Sequence, residues 1–328
     1  MSSGRPLPHC PVVVSPLAFG AAAIGGLYEA VDAEQAQQTV SRALELGLRY
    51  LDTAPHYGLG LSERRLGQAL RDRPRDSYVV STKVGRLLRP LRRGETVSPE
   101  GFATDARLKR VWDFSRDGIR RSLHESLERL GLDRVDILYL HDPDAFEPDV
   151  YATGYPTLAE LRSEGVVGAI GVGMNQAEML TRLVGRLDFD LVLVAGRYTL
   201  LDQSALDDLL PTCLERGVGV IAAAPFHGGL LARPGPGSLY NYRPASPDLI
   251  RRAAGMQAVC ARHGVPLTAA ALRFALGHPA VVSVLVGARS VQEVDDNAHA
   301  FQTPVAPEVW AELKAEGLLG AELPVPDA

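Results

Sequence analysis

Several features are scarce in this 328-residue sequence, and each shortage argues against a class of protein. Its three cysteines, Cys10, Cys213 and Cys260, are widely spaced and form no CxxC pair. We therefore expect neither a disulfide framework nor a cysteine metal site, and reduced thiols in a cytoplasmic protein are the simplest interpretation. No run approaches the ~20 apolar residues that a membrane span needs. Pro11 and Pro16 interrupt the short apolar segment near the N-terminus, so we expect a soluble protein without a secretory signal.

A one-sided charge is also lacking. The net charge is −5, with acidic and basic residues interspersed, which argues against a nucleic-acid or membrane partner. The most basic stretch, RLLRPLRR at 86–93, is short and interrupted by proline. We interpret it as a solvated loop, with gripping an anionic ligand as the alternative. A small-molecule substrate is the partner we expect, and a homo-oligomer stays open.

Apolar runs and amphipathic segments alternate along the chain, which is 46% hydrophobic. The periodicity predicts strands at Leu17–Phe19, Leu48–Asp52, Tyr78–Lys83, Val135–Leu140, Val167–Val172, Leu191–Ala195, Val218–Ala223 and Val281–Val286. It predicts helices at Ala33–Leu46, Ser62–Arg71, Ser115–Leu130, Pro156–Glu164, Gln176–Leu187, Ser204–Arg216, Leu267–Leu276 and Val291–Ala300. Ser115 and Gly131 are expected to cap the third helix.

Eight short strands rich in Val, Ile and Leu, each followed eventually by a helix, predict an α/β fold, a (β/α)₈ TIM barrel in which residues 1–328 form a single domain. Pro247–Arg262 and Val305–Glu316 are predicted as extra helices, and Leu87–Val111 and Phe226–Ala245 as long loops at the C-terminal mouth. The alternative is a doubly wound open sheet. That fold usually carries a GxGxxG turn, whereas GLGLSE and GVGMNQ both lack the third glycine.

Four polar residues lie at or just after the ends of neighbouring predicted strands. Asp52 ends one strand, Tyr57 lies on its loop, Lys83 ends the next strand and His141 follows the one after. Active sites of such barrels form at this end of the strands. An ammonium beside a phenol stabilises the phenolate, and a carboxylate keeps the ammonium charged. The set lacks a nucleophile pair and metal ligands, so it suits proton transfer coupled to hydride transfer with a bound cofactor.

The stretches DTAPHYG, STK and YLHDPD resemble motifs of the aldo-keto reductase family, and the resemblance extends over roughly residues 15–300. It implies a barrel that binds a nicotinamide cofactor across its mouth, with Asp52, Tyr57, Lys83 and His141 as the catalytic residues. Within the family, APHYGLGLSERRLG, STKVGRLL, HDPD, GMNQ and AGRYTLLDQ are similar to stretches of the sugar 1-dehydrogenases. That branch includes L-fucose (D-threo-aldose), L-galactose and D-arabinose dehydrogenases.

The resemblance also implies a set of cofactor contacts. These residues are Gly20, Ala21, Asn175, Ala224, Pro225, Phe226, Gly228, Gly287, Ala288, Arg289, Glu293 and Asn297. The chain departs from the family at Ala195 and Ala223, where a glutamine and an aromatic residue are usual. Glu293 would accept hydrogen bonds from ribose hydroxyls and repel a 2′-phosphate, whereas Arg289 could hold that phosphate. We expect NAD, with NADP as the alternative.

The resemblance implies that an aldose is oxidised at C1 to a lactone. Tyr57 would act as the general base and His141 would hold the sugar oxygen. We expect substrate contacts from His56, Trp112, Phe114 and His227. The alternatives are a pyridoxal 4-dehydrogenase, a general aldehyde reductase and, from a different class, a cofactor-sensing regulatory subunit without turnover.

Overall fold

The structure, a computed structural model, describes residues 4–104, 107–241 and 243–326. The strands are β1 Arg5–Pro6, β2 Val13–Val14, β3 Leu17–Gly20, β4 Tyr50–Asp52, β5 Val79–Val84, β6 Arg86–Pro90, β7 Leu108–Trp112, β8 Ile137–His141, β9 Ala169–Met174, β10 Leu191–Ala195, β11 Gly219–Ala223, β12 Leu239–Tyr240, β13 Arg243–Pro244 and β14 Val281–Gly287. The α-helices are α1 Ala33–Glu45, α2 Leu61–Leu70, α3 Arg116–Leu130, α4 Glu147–Asp149, α5 Tyr155–Ser163, α6 Ala177–Val184, α7 Leu209–Arg216, α8 Pro247–Arg262, α9 Leu267–Phe274, α10 Val291–Gln302 and α11 Pro307–Ala315. A π-helical turn, Val150–Gly154, precedes α5.

Eight parallel strands close into a barrel in the order β10-β11-β14-β3-β4-β5-β8-β9. The predicted (β/α)₈ barrel is therefore confirmed, and each predicted strand overlaps a strand of the ring. The predicted caps of α3 are also present, because Ser115 Oγ accepts a hydrogen bond from the Gly118 amide and Gly131 has a φ of 64°. Differences are local: the helix predicted at Ser204–Arg216 is a 3₁₀ turn, Ser204–Leu206, followed by α7.

Two antiparallel hairpins rise from loops at the barrel mouth. Strands β6 and β7 pair with Arg86 opposite Trp112, and β12 and β13 pair within the segment after β11. The interpretation of residues 86–93 as a solvated loop was wrong for its first half: Arg86–Pro90 is a strand, and Arg86 is only 8% exposed. The pairing of β6 depends on β7, which lies further along the chain, so the sequence pattern of β6 alone does not indicate a strand. Residues 105–106 and 242, in the loops predicted at the mouth, lie outside the described residues.

The core has two layers. Side chains such as Tyr50, Ile137 and Leu191 fill the barrel interior, and a larger cluster lies between the strands and the surrounding helices. Leu7 and Val14, from the β1–β2 hairpin, are buried in the inner cluster, so this hairpin packs against the barrel interior. Within the described residues, no helix has the length and apolar character required to cross a membrane.

A buried ion pair joins α2, α3 and β5 behind the mouth. Glu63 is fully buried, and its carboxylate accepts hydrogen bonds from Arg129 Nε at 2.5 Å and Thr82 Oγ1 at 2.8 Å. Thr82 immediately precedes Lys83. This ion pair therefore fixes the strand that carries the lysine to the helices outside the barrel.

We expect the substitution Glu63→Leu to lower the free energy of unfolding by about 3–5 kcal/mol, because it leaves the Arg129 guanidinium without its carboxylate. The double variant Glu63→Leu/Arg129→Met removes both charges and should recover most of that loss. Chemical denaturation of the three proteins measures both values. A double variant no more stable than the single one would contradict this account of the pair.

Candidate active site

Lys83 lies at the centre of the barrel mouth and uses all three of its N–H donors. Its Nζ is 2.5 Å from Asp52 Oδ2, 3.1 Å from the Thr53 carbonyl oxygen and 3.1 Å from the Tyr57 hydroxyl. Lys83 and Asp52 are each 1% exposed. A buried ammonium requires a carboxylate partner such as Asp52, and at hydrogen-bond distance from a phenol it stabilises the phenolate. The group of Asp52, Lys83 and Tyr57 is thus suited to proton transfer.

The loop after β4 holds Tyr57 in this place. Gly58 has a φ of 60°, and a Cβ at this position would lie 2.2 Å from the Gly25 carbonyl oxygen. The chain therefore needs glycine directly after Tyr57, both for the left-handed backbone and for the close approach to the turn at Ala23–Gly25. The Tyr57 amide closes the start of the loop by donating to the Ala54 carbonyl.

Two histidine rings surround the Tyr57 phenol. The ring of His141 lies 5.8 Å from that of Tyr57 between centroids, and the ring of His56 lies 5.5 Å from that of His141. Burial, with nearby Arg86 adding to it, lowers the pKa of His56 to about 2 and holds the pKa of His141 well below its usual range. Both imidazoles are therefore neutral at pH 7. Among the described residues, His141 Nδ1 is buried and without a hydrogen-bond partner.

Arg86 organises one wall of the mouth, and our sequence analysis missed it. Its guanidinium lies 4.2 Å from the centre of the Trp112 ring and donates to His56 Nδ1 at 3.1 Å and to Asp142 Oδ2 at 2.5 Å. Because a guanidinium can only donate, the proton of neutral His56 is on Nε2. Burial raises the pKa of Asp142 to about 6, although Arg86 acts in the opposite direction. Because β6 pairs with a segment further along the chain, RLLRP alone carries little signal for this wall.

The four predicted substrate contacts are not equivalent in the structure. His56 adjoins Tyr57, and Trp112 is 39% exposed beside Arg86. Phe114 is 3% exposed and stacks behind Trp112 with ring centroids 5.8 Å apart. His227 is also buried; its Nε2 lies 2.6 Å from Thr199 Oγ1 and its ring stacks on Tyr240 at 4.6 Å. The structure thus brings two of the four to the Tyr57 side of the mouth, and direct contact by Phe114 or His227 stays a prediction.

Most residues predicted to bind the cofactor lie at or after the ends of β3, β14 and β11, and β3 is the direct neighbour of β4 in the ring. Gly287 is the register partner of Gly20, and Gly287 itself is exposed. Ala224 and Gly228, both exposed, have φ values of 55° and 63°. Left-handed backbone of this kind is a component of anion-binding nests. The open glycine edge and this turn fit the pyrophosphate and ribose of a dinucleotide.

Asn175, one of the predicted cofactor contacts, is fixed through its backbone. Its carbonyl oxygen accepts a hydrogen bond from Arg197 Nε at 2.8 Å. Arg197 also binds Asp202 at 2.7 Å, and Asp202 accepts from the Tyr240 hydroxyl at 2.9 Å. This network joins the loops after β9 and β10 to the β12–β13 hairpin. Arg197 and Asp202 were not among the predicted site residues, because their contacts cross from one loop to another.

Arg289, the cation predicted to compete for a 2′-phosphate, is held by two carboxylates. Its guanidinium lies 2.8 Å from Glu293 and 2.5 Å from Glu29. The Glu293 side chain also accepts from the Arg289 amide at 2.8 Å. Asn297 donates to the Gly287 carbonyl at 3.4 Å, so these residues of α10 lie against the end of β14. The local charge around Arg289 is therefore net negative.

Comparison with known proteins gives consistent matches over nearly the whole chain. The model of the Aldo/keto reductase family matches residues 16–316. D-threo-aldose 1-dehydrogenase of Pseudomonas sp is 44% identical, covering 97% of this chain and 99% of its own. Pyridoxal 4-dehydrogenase of Microbacterium luteolum is 36% identical, covering 97% of this chain and 98% of its own. A solved aldo-keto reductase from Bacillus halodurans, in its holo form, has a TM-score of 0.77 and 28% identity, covering 98% of each chain.

The low pKa values of His56 and His141 predict a loss of stability in acid. In the unfolded chain both histidines bind protons as the pH falls below ~6.5, whereas in the folded protein they do not. The free energy of unfolding should therefore decrease from pH 6.5 downward, by up to about 1.4 kcal/mol per pH unit for each histidine. Denaturant unfolding at several pH values measures the slope.

The raised pKa of Asp142 acts in the opposite direction between about 6 and its ordinary value of 3.8, because there the folded protein binds the additional proton. The test is therefore the difference between the parent protein and the variants His56→Gln and His141→Gln, which should lose stability less steeply. His124→Gln, at an exposed position, is the matched control. Parallel curves for the parent protein and all three variants would show that neither mouth histidine is held neutral.

Proposed function

Since the chain belongs to the aldo/keto reductase family and is an oxidoreductase, we propose that it oxidises an aldose at C1 to the corresponding lactone. The nicotinamide cofactor that the family uses would supply the hydride acceptor. The 44% identity with a D-threo-aldose 1-dehydrogenase supports this substrate class. The mouth wall is the observation on which the choice of a sugar depends.

The wall offers a polyol both kinds of contact that sugars need. Trp112 is a partly exposed aromatic residue, and His56 Nε2–H is a donor close to Tyr57. Arg86 and Asp142 supply a guanidinium and a carboxylate beside them. Aromatic faces together with a few fixed donors and acceptors are typical of sites that orient a small polar ligand.

The proton chemistry rests with Tyr57. With a bound nicotinamide to take the C1 hydride, the Tyr57 phenolate would accept the proton of the C1 hydroxyl, and the C1–O bond would become the lactone carbonyl. Lys83 stabilises the phenolate through the 3.1 Å hydrogen bond. Neutral His141, whose ring lies 5.8 Å from that of Tyr57, would hold the C1 oxygen. In the reverse direction Tyr57 is the acid that protonates a carbonyl oxygen.

The purified protein should reduce NAD with L-fucose, L-galactose or D-arabinose as substrate and form the lactone. Pyridoxal and a simple aldehyde complete the panel, since a 36% identical relative is a pyridoxal 4-dehydrogenase. Initial rates with NAD and NADP in both directions identify the substrate class. Pyridoxal oxidation faster than any aldose reaction would replace the sugar assignment with that alternative.

The matched control for this panel is Tyr57→Phe. It should lose about 10²–10⁴-fold in turnover, because only the proton carrier is removed. Its affinity for the cofactor, measured by fluorescence titration, should stay close to that of the parent protein. Undiminished turnover in this variant would rule out Tyr57 as the acid–base group.

We also infer a preference for NAD, supported by the two carboxylates that hold Arg289. The double variant Glu29→Gln/Glu293→Gln removes their charge and leaves Arg289 available to a 2′-phosphate. The ratio of kcat/KM for NADP to that for NAD should rise at least about tenfold, equivalent to about 1.4 kcal/mol. Adding Arg289→Gln to this variant should cancel the rise. A parent protein that already prefers NADP would contradict the inference.

A further inference from the structure

Three hydroxyl side chains lie inside the barrel, directly below Asp52. Tyr50 on β4, Ser81 on β5 and Tyr139 on β8 are all 0% exposed. Their neighbours in the inner cluster are mainly apolar residues. A buried hydroxyl in apolar surroundings is costly unless it is hydrogen-bonded, so each of the three hydroxyls requires a partner inside the barrel.

The three hydroxyls form one continuous chain of hydrogen bonds that ends on Asp52. The Tyr139 and Tyr50 hydroxyl oxygens are 2.9 Å apart, and the Tyr50 hydroxyl is 3.1 Å from Ser81 Oγ. Ser81 Oγ donates to Asp52 Oδ1 at 2.7 Å. Strand register supports this arrangement, since Asp52 is the direct partner of Ser81 across β4 and β5.

Only one direction of donation is consistent with this geometry. The Asp52 carboxylate, paired with the Lys83 ammonium, can only accept, so the single Ser81 hydroxyl hydrogen goes to Asp52. Ser81 must then accept from Tyr50, and Tyr50, whose hydrogen is used, must accept from Tyr139. All three O–H bonds therefore point toward the carboxylate, and bonds aligned in this way polarise one another.

We propose that Tyr139, Tyr50 and Ser81 act as positioning residues, a one-way chain of donors that holds the Asp52 carboxylate in place and thereby holds Lys83 against Tyr57. The proposal rests on the proposed role of Tyr57 as the proton carrier. Asp52 has two oxygens with separate tasks: Oδ1 accepts from the chain and Oδ2 binds Lys83. Removing the chain leaves Oδ1 unpaired in a buried environment.

The phenols of this chain are donors and not proton carriers themselves. Burial raises the pKa of Tyr50 and that of Tyr139 well above the ordinary value of 10, and the nearby Asp52 carboxylate acts in the same direction. Both therefore stay protonated at any pH at which the enzyme works. Their contribution to the site is a set of oriented O–H dipoles.

Other charged and titratable groups also face the three residues Asp52, Lys83 and Tyr57. They are His141 at the end of β8, Asp142 after it, His56 on the Tyr57 loop, and Arg86 and Arg110 on the β6–β7 hairpin. None of them is hydrogen-bonded to the hydroxyl chain in the contacts of the described residues. Substitutions within the chain therefore remove no hydrogen bond of these groups.

The test measures the ionisation of Tyr57 directly, by ultraviolet difference titration of each variant against the same variant carrying Tyr57→Phe. In Ser81→Ala, Asp52 Oδ1 loses the hydrogen bond from Ser81. The carboxylate then becomes more basic and attracts the Lys83 proton more strongly. The phenolate is then stabilised less, and the pKa of Tyr57 should rise by about 0.5–1 unit. Tyr50→Phe and Tyr139→Phe should raise it by successively smaller amounts.

The rising limb of the pH–rate profile for the oxidation direction should move to higher pH in the same order, with kcat reduced about 3–30-fold at neutral pH and the cofactor Kd unchanged. Tyr139→Phe added to Ser81→Ala should produce no further shift, because the chain is already cut. Tyr198→Phe removes a buried phenol hydroxyl that has no hydrogen-bond partner among the described residues and serves as the matched control.

A purely structural role for the chain would lower thermal stability without moving the Tyr57 titration, and the effects of two substitutions would add. Either an unmoved titration in Ser81→Ala or additive shifts in the double variant would overturn the proposal. The titration needs no turnover, so its result tests the hydroxyl chain independently of the proposed function. Full turnover in Tyr57→Phe would refute the proposed function. A shift of the Tyr57 pKa in the chain variants alone would still show that the hydroxyl chain positions Asp52 and Lys83.

Discussion

The contact between the Lys83 ammonium and the Asp52 carboxylate is the constraint on which the candidate site depends. Both groups are almost completely buried and lie 2.5 Å apart. Either charge alone would be very costly in that environment, so each requires the other. Because the two residues lie on neighbouring strands, their pairing joins the ends of β4 and β5. The third N–H donor of Lys83 then holds the Tyr57 hydroxyl in place. The arrangement needed for proton transfer therefore depends on contacts that also join the barrel strands.

Two groups of strands carry the two sets of candidate site residues. The residues proposed for proton transfer lie at the ends of β4, β5 and β8, where buried charges are paired and histidines stay neutral. The edge suited to a dinucleotide lies at β3, β14 and β11, where glycines and left-handed backbone leave room for a ligand. Strand β3 pairs directly with β4, so the two groups are neighbours in the ring. The network of Arg197, Asp202 and Tyr240 connects the loops after β9 and β10 to the β12–β13 hairpin.

The sequence was sufficient to predict the barrel and the group around Tyr57, because both depend on local patterns. Strand-end residues such as Asp52 and Lys83 are brought together by parallel topology alone. Arg86 was misread, since its burial depends on pairing with β7, which lies far along the chain. The hydrogen bond between the Tyr50 and Tyr139 hydroxyls could not be predicted either, because an aromatic residue in a buried strand is ordinary. Only strand register places the two hydroxyls together. Side-chain contacts between separate loops could not be predicted from local sequence patterns for the same reason.

The β6–β7 hairpin stands apart from the eight-stranded ring, yet it supplies Arg86 and Trp112 to the mouth. Its strands pair only with each other, so its sequence is not coupled to the closure of the barrel. Substitutions in this one hairpin would therefore alter the wall beside the mouth without removing a hydrogen bond of the eight-stranded ring. Grafting the hairpin between relatives, together with the residues that Arg86 contacts, offers laboratory evolution a compact unit of change.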